Sequence, residues 1–201
     1  MDLPELQDTL RLDPAELVGA WRVGSRVYGT HGPGSDHDFL LILTGTGRRD
    51  LRFGPGLNAV LHDRGSFQRG LDEQSLLALE AWFAPPSHRL LEPARGAFHF
   101  VLDRAALVAS SLARSERDFT AALRRFDEDV PAAHKRLFHS LRGLIFTRQL
   151  LTHGRLIDLT EGSCLLAELR AMPDREALER RFAPERHRLL QEVTAAGRSR
   201  R

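Results

Sequence analysis

The chain has 201 residues, 42% of them hydrophobic, and a formal net charge of +2 at pH 7. That length suits one domain or a small domain with an appendage, and the composition is ordinary for a chain that buries a core. The near-neutral charge favours no particular partner, no apolar run approaches the roughly 20 residues that span a bilayer, and the single cysteine, Cys164, excludes intramolecular disulfides.

The opening "MDLPELQDTL" is acidic and carries no apolar signal segment. With one cysteine and no membrane span, a cytoplasmic location is expected. Lys135 is the sole lysine, every other Lys/Arg position being arginine. Coding bias explains that skew more simply than selection for arginine's phosphate-matching fork.

Residues 1–19 read as a short helical lead, with Asp13 and Pro14 as helix-start signals. "AWRVGS" (20–25) reads as a strand entering a glycine turn, followed by a brief helix over 26–28 and the loop "THGPGS". "DHDFLLILTG" is the clearest strand, apolar enough to be buried on both faces. The run 44–56 is turn-rich, "LNAVLHD" (57–63) is a further short strand, and a helical stretch covers roughly 64–83. From about Asp103 the periodicity becomes helical, with breaks at Pro131, Gly154 and Pro173 and a tail "GRSRR" expected to fray. The expected fold is α+β: a small mixed β-sheet domain with flanking helices over 1–102, then an α-helical domain over 103–201.

Asp36 and Asp38 stand two apart on one strand, so they share a face roughly 7 Å apart at the backbone. Two ionised carboxylates there repel each other unless a cation joins them. A hard divalent ion such as Mg²⁺ takes one or two carboxylates and completes its shell with substrate phosphates. Gly24 allows close backbone approach, and Ser25 offers a hydroxyl and an amide for an anion. The pattern therefore favours a metal–phosphate site.

"GSRVYGTHGPGSDHDF" resembles the signature of the DNA polymerase β-type nucleotidyltransferase superfamily, a Gly-Ser turn preceding an Asp-x-Asp strand. It is most similar to the bacterial predicted nucleotidyltransferases associated with RNA repair. The resemblance extends to Leu79-Glu80-Ala81-Trp82-Phe83, a Leu-Glu-x-x-Phe element, and to "HKRLFHSLRGL" (134–144). It implies a two-metal transfer of a nucleoside monophosphate from a nucleoside triphosphate to an acceptor such as a nucleic-acid end, releasing pyrophosphate. Asp36 and Asp38 would hold Mg²⁺ or Mn²⁺, and Gly24 and Ser25 would bind the β- and γ-phosphates. The active cleft is expected between the two domains.

The family's third carboxylate falls here on Asn58, which can offer a carbonyl oxygen to a metal but cannot act as a base. His62 shares the strand face of Asn58 and is the candidate proton acceptor. Lys135, His139 and Arg142 stand at i, i+4 and i+7 of one expected helix. In the relatives a similar face closes over the nucleotide; as plain sequence it reads equally as a solvated basic face. Of the rings able to stack on a base, Trp21, Trp82 and Tyr28, the spacing places Trp82 in the core and Tyr28 on the exposed loop. Arg148-x4-His153 matches the loose spacing of HEPN-type ribonucleases, which accompany minimal nucleotidyltransferases in toxin–antitoxin pairs. Arg26…His31 and Arg181…His187 match it too, so the pattern carries little. The alternative function is a catalytically degenerate nucleotide- or nucleic-acid-binding module, such as a member of a toxin–antitoxin pair.

Overall fold

Residues 37–43 become the centre of a sheet because four consecutive apolar side chains, Phe39 to Ile42, can all be buried only where both sheet faces are covered. In the computed structural model, which describes residues 1–45 and 50–199, all four are at most 1% exposed. The chain divides into two compact units, Met1–Val101 and Leu102–Arg201. The first unit carries a five-stranded mixed sheet, and the described residues contain seven α-helices, a mixture consistent with an α+β fold.

In the first unit, α1 (Leu3–Leu10) precedes β1 (Leu17–Val23), β2 (His37–Leu43), β3 (Asp50–Gly54) and β4 (Leu57–Asp63). α2 (Arg64–Asp72), α3 (Leu76–Trp82) and β5 (Arg89–Leu91) follow. The strand order is β3-β4-β2-β1-β5. β2 runs parallel to β4, while β1–β2, β1–β5 and β3–β4 are antiparallel. One face, with Ala20, Phe39, Leu41, Leu57, Ala59 and Leu61, packs on Leu6 and Leu10 of α1. On the other face Trp21, paired with Leu40, stacks on Phe67 of α2 with ring centroids 5.6 Å apart.

Several expectations change. The helical lead is α1, capped by Asp2, whereas Asp13 and Pro14 start only a three-residue 3₁₀ turn. Leu17–Val23 is strand because its residues pair with β2 from Leu43 to Asp38, a tertiary pairing that overrides local helix signals. The helix expected over 64–83 is two helices, since Gln74 takes a positive φ of 55°. Its buried side chain donates to the carbonyls of Leu71 (3.0 Å) and Val101 (3.1 Å). The turn-rich run 44–56 contains β3, and its residues 46–49 lie outside the described residues. β5 had no distinct periodicity in three residues.

The second unit consists of α4 (Arg104–Arg125), α5 (Val130–His153), α6 (Cys164–Arg170) and α7 (Arg175–Arg198). Pro131 opens α5 in its first turn, where a missing amide costs nothing. α4 and α5 meet through buried hydroxyls, Ser115 with Ser140 (2.9 Å) and Ser111 with Thr147 (2.6 Å). Of the tail expected to fray, α7 includes residues up to Arg198, and residues 200 and 201 lie outside the described residues. Among the described residues no helix is long and apolar enough to cross a membrane.

Candidate metal and phosphate site

Asp36 ends the loop before β2, and Asp38 is the second residue of that strand. Parallel pairing sets Asp38 opposite Asn58 of β4, and antiparallel pairing sets it opposite Val23, the last residue of β1. One strand end therefore gathers Gly24, Asp38 and Asn58. Asp36 is exposed, while Asp38 and Asn58 are half-buried.

The Asn58 amide joins the two carboxylates. Its Nδ2 donates to Asp36 Oδ2 at 3.2 Å and to Asp38 Oδ1 at 3.0 Å. Ionised carboxylates only accept hydrogen bonds, so the amide must turn its nitrogen toward them. The carbonyl oxygen expected to face a metal is thus not the Asn58 atom that meets the pair.

Gly24 explains why a glycine must precede the serine. Its φ is +78°, and a Cβ built there would lie 2.1 Å from Asp38 Oδ2 and 2.7 Å from Asp38 Cγ. The turn that follows is closed by Val27 N and Tyr28 N donating to Gly24 O (3.0 and 3.2 Å). It is a hydrogen-bonded turn in place of the expected brief helix. Thr30 N donates to Ser25 O (2.9 Å), and among the described residues the half-buried Ser25 hydroxyl makes no hydrogen bond. Arg26 ties the turn to the loop, its Nη2 donating to Ser35 O (2.7 Å) and its Nε to Asp36 O (3.4 Å).

His37 points to the opposite face and stacks near Phe39, with centroids 6.3 Å apart. Burial, then the positive charges of Arg26, the N-terminus and Arg22, hold its pKa below the usual histidine value, with Glu5 opposing. His62 does not serve this site. It lies four residues along β4 from Asn58, about 13 Å at strand rise, is 9% exposed, and sets its ring edge-on to Phe67 with Nδ1 3.2 Å from Ser66 Oγ. Tyr28, expected to be exposed, is 5% exposed and donates its hydroxyl to the buried Glu80 carboxylate. The ring is drawn inward because its hydroxyl finds a hydrogen-bond partner there. Trp82 is half-buried and, with Trp21 and Phe67, lines a hollow of about 370 Å³.

The donor chemistry fits a hard cation in part. Asp36 and Asp38 offer oxygen ligands, and among the described residues neither forms an ion pair. The described residues contain no group of three or more His, Cys, Asp or Glu able to hold an ion.

On α5 in the second unit, Lys135 is exposed, His139 half-buried and Arg142 only 6% exposed. The Arg142 guanidinium lies 5.1 Å from the Phe146 ring centroid and 5.9 Å from that of Phe138. Burial, aided by Arg142, Lys135 and Arg114, pushes the His139 pKa down to about 3, so its ring is neutral near pH 7. Arg148 is engaged by Glu161 and by Glu192 (2.6 Å), a structural use of that arginine.

Sequence reasoning missed two contributors, Arg26 and the Tyr28–Glu80 pair. Arg26 bonds the backbone carbonyls of Ser35 and Asp36, which leave no sequence signal. Glu80 stood in the Leu-Glu element, but its partner 52 residues away did not show. No family model matches the chain, and no curated protein matches it.

Proposed function

We propose that the protein is a metal-dependent nucleotidyltransferase of the polymerase β type. It moves a nucleoside monophosphate from a nucleoside triphosphate to an acceptor, of which a nucleic-acid end is the first to test. The observation that carries this reading is the contact between the Gly-Ser turn and the acidic pair. Gly24 is packed so closely on Asp38 that any side chain would collide with the carboxylate. Such an approach sets an anion-accepting turn beside two cation-accepting carboxylates, the arrangement a metal-bound triphosphate requires.

In this reading the acceptor's hydroxyl oxygen bonds to the α-phosphorus as the bond from that phosphorus to the pyrophosphate oxygen breaks, and the hydroxyl proton passes to water. Asp36 and Asp38 would hold the divalent ions, and the Ser25 hydroxyl with its turn would take the outgoing phosphates. A bound Mg²⁺ or Mn²⁺ supplies neutralisation of phosphate charge and activation of the attacking oxygen. Asn58 keeps the carboxylates together and takes no proton. A second reading is favoured by that same amide and by the burial of His62, because neither leaves a general base beside the pair. It is a binding module that holds a metal-bound nucleotide without turning it over.

The deciding assay offers labelled nucleoside triphosphates with Mg²⁺ or Mn²⁺ to pools of RNA, DNA and protein. The Asp36→Ala/Asp38→Ala variant runs in parallel. Label transfer that disappears in the variant is the expected result. Metal-dependent nucleotide binding without transfer selects the binding module, and absence of both overturns the metal–phosphate reading.

A further inference from the structure

We infer that the hollow beside Trp21 is a binding site for a small aromatic carboxylate, a planar molecule of one or two rings carrying one acid group. All of its lining residues belong to the first unit, and the inference stands apart from the metal-dependent reading above. Its volume of about 370 Å³ lies within the range of about 300–1,000 Å³ that small-molecule sites occupy. Such sites combine mostly apolar walls with a few convergent polar groups.

Four aromatic rings make the walls. Trp21 and Phe67, 4% and 0% exposed, lie nearly parallel, with an interplanar angle of 14°. Phe98 meets Phe67 edge-on at 5.0 Å, and the half-buried Trp82 lines the same space. Flat aromatic walls favour an aromatic guest, which can stack offset on one ring and meet another edge-on. Gly19 makes the position of Trp21 possible. A Cβ there would lie 2.6 Å from Trp21 Cη2 and 2.9 Å from Pro93 Cγ. A glycine inside a strand weakens the strand, and here it lets the indole and Pro93 close on β1 and so shapes the hollow.

The rim sets the charge of the guest. Arg89 donates its Nε to the Ala84 carbonyl (2.7 Å) and its Nη1 to the Glu92 carboxylate, so the Arg89–Glu92 pair is balanced within itself. Arg95 is exposed, and among the described residues it forms no ion pair. The rim is therefore left with one positive charge, in a planar fork that matches a carboxylate. A phosphate monoester, with about 1.5–2 negative charges, would exceed it.

The test is a nuclear magnetic resonance titration of the full chain carrying nitrogen-15 in its tryptophans. The chain has two tryptophans and both line the hollow, so their indole N–H signals report on it directly. The probe 2-naphthoate should shift both signals saturably. Its neutral isostere 2-naphthamide and the non-aromatic anion cyclohexanecarboxylate should each bind several-fold more weakly. Arg95→Gln, a change at an exposed side chain, should weaken 2-naphthoate by about fivefold, the upper end for a pair that water reaches. The same change should leave 2-naphthamide unaffected. Absence of a saturable shift with 2-naphthoate overturns the inference. Equal affinities for 2-naphthoate and its amide, or for 2-naphthoate in the unaltered protein and Arg95→Gln, overturn it as well. Cyclohexanecarboxylate binding as tightly as 2-naphthoate overturns the aromatic assignment.

Discussion

Replacing Gly24 by alanine separates a backbone effect from a collision, because the chain carries its own control. Gly24 and Gly34 have nearly the same positive φ, 78° and 82°. A Cβ at Gly34 would meet nothing within 4 Å, whereas at Gly24 it would meet Asp38 Oδ2 at 2.1 Å and both Cβ and Cγ at 2.7 Å. The left-handed backbone alone costs a non-glycine residue about 1–2 kcal/mol, and this should be the whole effect of Gly34→Ala. Forced overlap at a packed position adds about 1–3 kcal/mol, so Gly24→Ala should lose about 2–5 kcal/mol in all. Urea denaturation of both variants measures the difference. A double-mutant cycle with Asp38→Ala assigns it, because that change removes two of the three colliding atoms and should restore about 1 kcal/mol or more. Equal losses in Gly24→Ala and Gly34→Ala would refute the claim that the Gly-Ser turn is seated on the acidic pair. The variant should also lose any metal-dependent nucleotide binding, since Asp38 has to move to admit the methyl group.

Two further outcomes test other parts of the structure. Unfolded His139 takes a proton as pH falls through its ordinary value near 6.5, but the folded ring stays neutral down to about 3. Its contribution is thus present above pH 6.5 and lost on acidification, by about 2 kcal/mol at pH 5. His134 shifts in the same direction, through burial and Arg170. His139→Gln should flatten the fall in stability between pH 7 and 5 in denaturation curves, and an unchanged slope would contradict the buried neutral ring. Tyr28→Phe removes the hydroxyl that donates to Glu80. Leaving a buried hydrogen-bonding group without its partner costs about 1–3 kcal/mol, so thermal unfolding should register a loss of that size. A loss below about 0.5 kcal/mol would show that this bond contributes little.

The sequence alone determined the elements whose signals are local. Phe39 to Ile42 had to form a strand covered on both faces, and 57–63 alternates as a half-buried strand should. The long helices α4, α5 and α7 follow from sustained helical periodicity, and in the structure Asp103, Asp129 and Asp174 cap them. The nearness of Asp36 and Asp38 and the glycine that a close approach requires were also legible, although Asp36 stands just before β2 and not on it as expected. Only the tertiary structure decided the rest. Strand pairing set Asn58 opposite Asp38 across 20 residues and turned its amide nitrogen, not its carbonyl, to the carboxylates. Glu80 drew Tyr28 into the interior, and packing on Phe67 took His62 away from the acidic pair. Burial made His139 neutral within a helix face that reads as basic in sequence. The physical reason is common to all four. Hydrogen-bond partners and desolvation are properties of what surrounds a side chain, and those surroundings come from segments distant in sequence.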